Sequence, residues 1–542
     1  ASDSTDEPLC DVIRQMFKWL VDPCCKFTNT TVSKEIKSVM PGLSREMKAK
    51  SVMHLFSSLI PAVSVVDVGG GNKNTRKKVA ASANGAADSD GENASNDPGP
   101  PSYALNAERI DPCDSVKTSL SGVQVKDRVH WVECQFLFAL VWAIGSTLTS
   151  ASREKFDVFL RGLIAGENGD EATADSRRKL ASMFPRKGSV FGFVYDKQGQ
   201  GQGAKFSWVS WESKVDARFE IEKGSKFSSI VVPTDHTVQH LYLLEKLLRH
   251  KRNVLFVGST GTGKSVYVNS MLRQLERGSS GSGAGSALGS GGNGADAKYS
   301  SILLAFSAQT SANTTQDIID SKLAKVRKGV FGPAAGRGGM AAPFYRRHAF
   351  IFVDDLNMPQ KEEYGAQPPL ELLRQGLADG GWYDRSDNAF RSMRNVSMVA
   401  AMVPPGGGRN SITSRLTRHF EVIGVSVMDT TCMERIFNTI LEWHLDKAGF
   451  DPEIVAMGKF VVRATAEVYT ECSQQLLPTP SKSHYIFNLR DYARVMQGLM
   501  MVQAAQMNKP KDAPLPGVDG GGGGSNGGGD GVPTDKHGRR PE

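Results

Sequence analysis

Between Asn253 and Leu275 the chain reads NVLFVGSTGTGKSVYVNSMLRQL, and no other stretch constrains the fold as much. Asn253–Val257 is a short apolar run of the length and composition of a buried strand. Tyr267, Met271 and Leu275 recur at i, i+4 and i+8, with Val268 and Leu272 beside them, which predicts an amphipathic helix. Between the two lies GxxxxGKS, Gly258 to Ser265. Its glycines let the backbone curl so that successive N–H groups point inward, an anion nest at a helix N-terminus. Lys264 supplies a cation that can reach β- and γ-phosphates, and the Ser265 hydroxyl suits Mg²⁺. A triphosphate requires this order of strand, loop and helix. The reading assigns Gly258, Ser259, Thr260, Gly261, Thr262, Gly263, Lys264, Ser265 and Val266 to ATP or ADP, with Ser265 also a metal ligand.

A second motif supports the first. In AFIFVDDL, five apolar residues from Ala349 to Val353 precede Asp354 and Asp355. A buried strand ending in a carboxylate at its C-terminal edge is the Walker B arrangement. Asp354 would hold Mg²⁺ through water, and Asp355 stands where a general base or water-positioning residue belongs. Further strands are expected at Ile302–Phe306 and Val396–Met402. A helix should start at Thr234/Asp235 with Val238, Leu241, Tyr242 and Leu248 on one face. Strands alternating with helices predict an α/β fold, a mostly parallel sheet flanked by helices.

The whole chain has 542 residues, too many for one ordinary core. Gly69–Pro101 and Gly278–Ala297 are almost free of large apolar residues, and GGGGGSNGGGDG lies in the tail after Lys509. Such stretches bury too little to offset chain entropy and read as disordered. Around them the chain divides into 1–68 and 107–190 (two parts of a helical lid), 69–106 (insertion), 191–235 (connecting strands and an adenine-wrapping segment), 236–425 (a large α/β subdomain with an insertion at 277–298), 426–508 (a helical lid) and 509–542 (tail). The net charge is +8, but the basic residues are scattered. They predict a solvated surface and no nucleic-acid track. Seven cysteines without metal-ligand spacing fit a reduced compartment. The apolar run Phe136–Ile144 is too short to cross a bilayer and reads as a buried helix, so no membrane partner is expected.

Ile351–Arg385 (IFVDDLNMPQKEEYGAQPPLELLRQGLADGGWYDR) resembles the dynein heavy chain, in its axonemal branch. Ser307–Pro333, Pro404–Asn410 (PPGGGRN) and His484–Leu499 carry the same resemblance, as do REKFDVFLRGLI and FSWVSWES upstream. The resemblance implies a fragment spanning the end of the second AAA+ module and most of the third, without stalk or first module. It implies that Val232, Pro233 and Thr234 wrap adenine and that Arg490 is the lid arginine reaching the γ-phosphate. Arg418 would be an arginine finger serving the neighbouring module's site. Implied partners are the remaining AAA+ modules, intermediate and light chains, and microtubules only indirectly. Implied localisation is cytoplasmic, on the cytoskeleton of the ciliary or flagellar axoneme. Two departures predict slow turnover. Asp355 is one methylene shorter than the usual glutamate, and the first-sensor position falls at Val403, which has no polar side chain. Regulatory nucleotide binding is therefore the leading expectation, and a non-hydrolysing structural scaffold the alternative.

Overall fold

The computed structural model describes residues 7–29, 36–60, 125–167, 177–180, 182–198, 205–216, 219–221, 227, 230–276, 299–334, 347–482 and 484–504. The expected disordered segments 69–106, 277–298 and 509–542 lie outside them. The first unit is helical. α1 (Glu7–Met16) runs through a π-helical turn at Phe17–Val21 into α2 (Asp22–Asn29). α3 (Arg45–Leu59) starts at Ser44, whose hydroxyl accepts from the Met47 N–H. α4 (Val125–Ala143) and α5 (Ser150–Ala165) follow, the latter stopped by Gly166 in the left-handed region. Every residue of α4 from Trp131 to Ala143 is buried. The apolar helix is longer than the sequence suggested. Asp127–Thr147 could span a membrane by length and composition, but 89% of its most apolar stretch is buried inside the protein. It is a core helix, and it carries Glu133, ion-paired with Arg178, and Gln135, which donates to the Tyr195 carbonyl.

β1 (Phe193–Gln198) and β2 (Lys205–Ser210) form an antiparallel hairpin. α6 (Asp235–Arg249) begins at Thr234, which accepts from the Thr237 N–H. Next come β3 (Val254–Gly258), α7 (Lys264–Glu276), β4 (Tyr299–Ala305), α8 (Ala312–Lys322), β5 (Leu323–Arg327), β6 (Val330–Pro333), β7 (His348–Asp354), α9 (Pro368–Asp379), β8 (Gly381–Tyr383), β9 (Phe390–Met393), β10 (Val396–Met402), α10 (Ser414–Thr417) and β11 (Glu421–Val425). Five strands make a parallel sheet in the order β11-β3-β10-β7-β4. The chain leaves β3 for the far edge at β4 and steps back through β7 to β10. It then adds β11 on the other side of β3. β3 is thus the switch point, where connections diverge and a crevice opens beyond the carboxyl ends of the strands. α7 buries Tyr267, Val268, Met271, Leu272 and Leu275, as its spacing predicts.

α6 starts where expected, and its apolar surface is wider than the one face expected. Its most buried side chains are His240, Leu243, Leu244, Leu247 and Leu248. Val238, Leu241 and Tyr242 are half-buried on the other side, where Tyr242 meets Phe138 and Trp211 edge-on. The helix lies between the sheet and the first helical unit, so both faces are apolar. A second sheet, β5-β6-β9-β8, was not foreseen. Its strands are short and half-exposed, and ion pairs organise it: Arg391 reaches both Asp320 and Asp384, and the Trp382 indole donates to Asp320. The last unit comprises α11 (Thr430–Ala448), α12 (Pro452–Gln475) and α13 (Leu489–Leu499) around Phe437, Leu441, Leu445, Val462, Tyr492 and Met496. Five described cysteines carry free thiols, as a reduced compartment requires; Cys10 is disulfide-bonded, which that expectation does not foresee.

Candidate functional site

β3 delivers the loop to the switch point. A Cβ on Gly258 would lie 2.5 Å from the Val425 carbonyl oxygen, so only glycine lets β11 close on β3 there. Gly261 and Gly263 take φ of 77° and 84°, the left-handed region that glycine enters without strain. Thr262 pins the turn by donating to the Ser259 carbonyl at 3.0 Å. The loop then enters α7 at Lys264. Ser259 and Thr260 are exposed and Ser265 is half-buried in the first turn. The Val266 side chain is exposed, so its expected contribution to phosphate binding rests with its backbone N–H.

Lys264 is folded back onto its own loop. Its ammonium donates to the carbonyls of Gly258 at 2.8 Å and Ser259 at 2.6 Å. Burial lowers its pKa to about 8, against the opposing pull of Asp354 and Asp355; Arg490 and Arg409 push the same way as burial. Five charges on four separate segments therefore converge at the carboxyl ends of β3 and β7. Lys264 lies within electrostatic range of Asp354.

Asp354 ends β7, where its carboxylate accepts from the Asp355 N–H at 3.1 Å and its carbonyl from Phe306 N–H at 3.0 Å. Asp355 adopts φ 54°, a conformation that non-glycine residues rarely take. Arg409 donates to its carboxylate at 3.2 Å. Arg409 belongs to PPGGGRN, whose Gly406, Gly407 and Gly408 all have positive φ and meet nothing at the Cβ position. The quoted motif contained this arginine, but nothing in the sequence shows that it pairs with Asp355. The fully buried Asn357 is also new. Its amide donates to the carbonyls of Val403 at 2.8 Å and Asn410 at 3.2 Å, tying the Asp355 turn to the loop after β10. Val403 thus contributes its carbonyl to the scaffold.

The last helical unit closes the crevice. A Cβ on Gly261 would lie 3.1 Å from both Asn488 Cβ and the Leu489 N. Asn488 caps α13, accepting from Arg490 N–H, while Asp491 reaches back to the Asn488 N–H. This brings Arg490 within electrostatic range of Lys264. Arg418, at the end of α10, is exposed, donates to the His419 ring and is not among the charges acting on Lys264. Val232 is buried with Ile221 and Ile440 of α11, with Pro233 half-buried beside it. The Thr234 hydroxyl is fully buried and occupied in capping α6, so this segment offers apolar surface rather than a free hydroxyl. Among the described residues no group of three or more His, Cys, Asp or Glu could hold a metal ion. One hydroxyl and one carboxylate beside a phosphate nest do suit Mg²⁺, which keeps several waters and takes few protein ligands.

Residues 219–428 match the family model of the P-loop containing dynein motor region. Residues 111–213 match the dynein heavy chain AAA lid domain, and 461–513 the AAA+ lid domain. The chain is 35% identical over 493 residues to human dynein axonemal heavy chain 3, covering 91% of this chain and 10% of that relative. Mouse dynein axonemal heavy chain 12 is 37% identical over 390 residues, 72% of this chain and 12% of that relative. The dynein-1-beta heavy chain of the flagellar inner arm I1 complex from Chlamydomonas reinhardtii is 36% identical over 381 residues, 70% of this chain and 7% of its own length. The chain spans about a tenth of the length of these relatives.

Proposed function

The chain belongs to the axonemal dynein heavy-chain family, and on that premise we propose that its P-loop binds ATP or ADP with Mg²⁺ and regulates a motor ring. The carrying observation is the meeting of Lys264, Asp354, Asp355, Arg409 and Arg490 at a loop capped by α13. Mg²⁺, when bound, would neutralise phosphate charge, and Ser265 and Asp354 are the residues that would hold it. Lys264 exchanges its two carbonyl acceptors for phosphate oxygens. Arg490 follows the γ-phosphate from the lid, and Val232 and Pro233 with Ile440 receive the adenine. Nucleotide joined to both the sheet unit and the lid then fixes the angle between them, the regulatory output. Asp355, already neutralised by Arg409 and shorter than glutamate, holds the attacking water poorly, so hydrolysis is slow.

Arg418, exposed at the end of α10, serves the neighbouring module's nucleotide. The remaining AAA+ modules, intermediate and light chains, and indirectly microtubules, are the partners; the axoneme of cilia or flagella is the location. The test is equilibrium binding of Mg·ATP and Mg·ADP to the parent and to Lys264→Ala. Equal affinities in the two proteins would overturn the site. A structural scaffold is the second reading, favoured by the apolar Val403 and the Arg409–Asp355 pair. It requires nucleotide that survives extended dialysis, whereas the regulatory reading requires exchange.

A further inference from the structure

We propose that His236 is a positioning residue that couples the P-loop to the hinge of the lid, acting through Tyr267 on one side and the Ser426 carbonyl on the other. The proposal rests on the nucleotide-binding reading above and adds the path by which occupancy would reach the lid. Three segments meet at this side chain. Tyr267, on the first turn of α7, lies against the last glycine of the P-loop: a Cβ on Gly263 would be 2.9 Å from the phenol ring and 3.1 Å from its oxygen. That oxygen is 3.1 Å from His236 Nδ1. His236 Nε2 is 3.1 Å from the carbonyl oxygen of Ser426, in the segment 426–429 that joins β11 to α11.

A carbonyl can only accept, so Nε2 carries the proton and Nδ1 accepts from the Tyr267 hydroxyl. Both bonds are made by the neutral ring in one tautomer. Burial keeps it neutral, with a pKa lowered to about 4, and the Arg153 guanidinium adds to that effect. The neighbouring residue repeats the link. Asp235 accepts from the Cys432 thiol at 3.0 Å, and Asp429 accepts from the Cys432 N–H at 3.0 Å, capping α11. The first turn of α6 therefore grips the P-loop helix, the hinge strand and the first turn of the lid at once. Gly263 has no side chain and packs directly on the phenol, so a turn that adjusts to phosphate must shift Tyr267. The hydrogen bonds pass that shift to Ser426 without any rearrangement of the sheet.

The test is hydrogen–deuterium exchange of the full chain with and without Mg·ADP, read in peptides covering 258–267 and 426–432. In the parent, nucleotide should slow exchange in both. Tyr267→Phe keeps the ring under Gly263 and removes the hydroxyl. It should leave the slowing at 258–267 intact and cut the response at 426–432 roughly fivefold, the value of one net hydrogen bond. His236→Leu should do the same, and His236→Gln, whose amide can donate to Ser426 and accept from Tyr267, should restore part of the response. A hinge response in Tyr267→Phe equal to that of the parent overturns the coupling, as does equal behaviour of His236→Leu and His236→Gln. Should His236→Leu fail to fold, Tyr267→Phe carries the test. Absence of slowing at 258–267 in the parent would instead defeat the nucleotide site itself, and the coupling with it.

Discussion

Lys264 makes nucleotide affinity depend on pH, with a sign and size set by its surroundings. Burial sets its pKa at about 8, against an ordinary value of 10.5. Bound phosphates would hold the ammonium charged well above that. The nucleotide complex therefore binds more protons than the protein alone as pH rises past 8, so affinity falls with rising pH. If the charged form alone binds, the competent fraction is about 0.9 at pH 7 and about 0.09 at pH 9, a tenfold loss worth about 1.4 kcal/mol. Proton uptake per nucleotide should be about one half at pH 8 and approach one above pH 9. Calorimetric titration of Mg·ADP between pH 7 and 9.5, in buffers of different ionisation enthalpy, measures both quantities. The nucleotide's own terminal phosphoryl is ionised across that range. A flat affinity without proton uptake would refute the argument, and so would the same slope in Lys264→Met. The folded-state side is independent of nucleotide. The folded chain holds its Lys264 proton less tightly than the unfolded one, so the parent should gain stability relative to Lys264→Met between pH 8 and 10.5. The gain is roughly 3 kcal/mol at most, read from denaturant midpoints.

Arg409→Ala should free Asp355 and remove one positive charge beside Lys264, raising the pH at which affinity begins to fall; the same titration reads it. Gly424→Ala would place a Cβ 2.0 Å from the Ser146 carbonyl, where Arg153 also bonds to both Ser146 and Gly424 carbonyls. The backbone must part, costing about 2 kcal/mol or more and exposing α4 to limited proteolysis. Burial alone would raise the pKa of Glu421, but His54, Ser51 and Arg252 together outweigh it, His54 by both hydrogen bond and charge, and the net shift is downward. Its contribution to stability is therefore present above the usual glutamate value and lost as pH falls through the lowered one. His54→Ala should weaken that acid limb of the unfolding curve.

The P-loop and the acidic end of β7 were legible because their chemistry is local. Glycines, lysine and serine in fixed order, or an apolar run ending in aspartates, carry their meaning within a few residues. The strand Val396–Met402 was visible for the same reason, as a largely apolar run interrupted only by Ser397. Arg409 was not legible. Its carboxylate partner is distant in sequence, and a triple glycine before it reads only as a turn. The second apolar side of α6 was not legible, because Leu243, Leu244 and Leu247 are buried by a separate unit beside the face read from Val238, Leu241, Tyr242 and Leu248. The sheet β5-β6-β9-β8 escaped for the opposite reason. LAKVR and FRSM show no buried face, and their pairing depends on Arg391 finding Asp320 and Asp384.

One continuous apolar interior joins the first helical unit to the sheet, from Leu9 through Val425, while among the described residues those after 429 keep a separate interior, tied to the remainder by Phe227 and a small group around Ile221, Val232 and Ile440. A pull on this polypeptide would accordingly find its weak seam behind β11. Everything ahead of that seam should travel as a single block, and α11 to α13 should swing or melt alone. A calorimeter would register two events, the smaller belonging to the C-terminal helices.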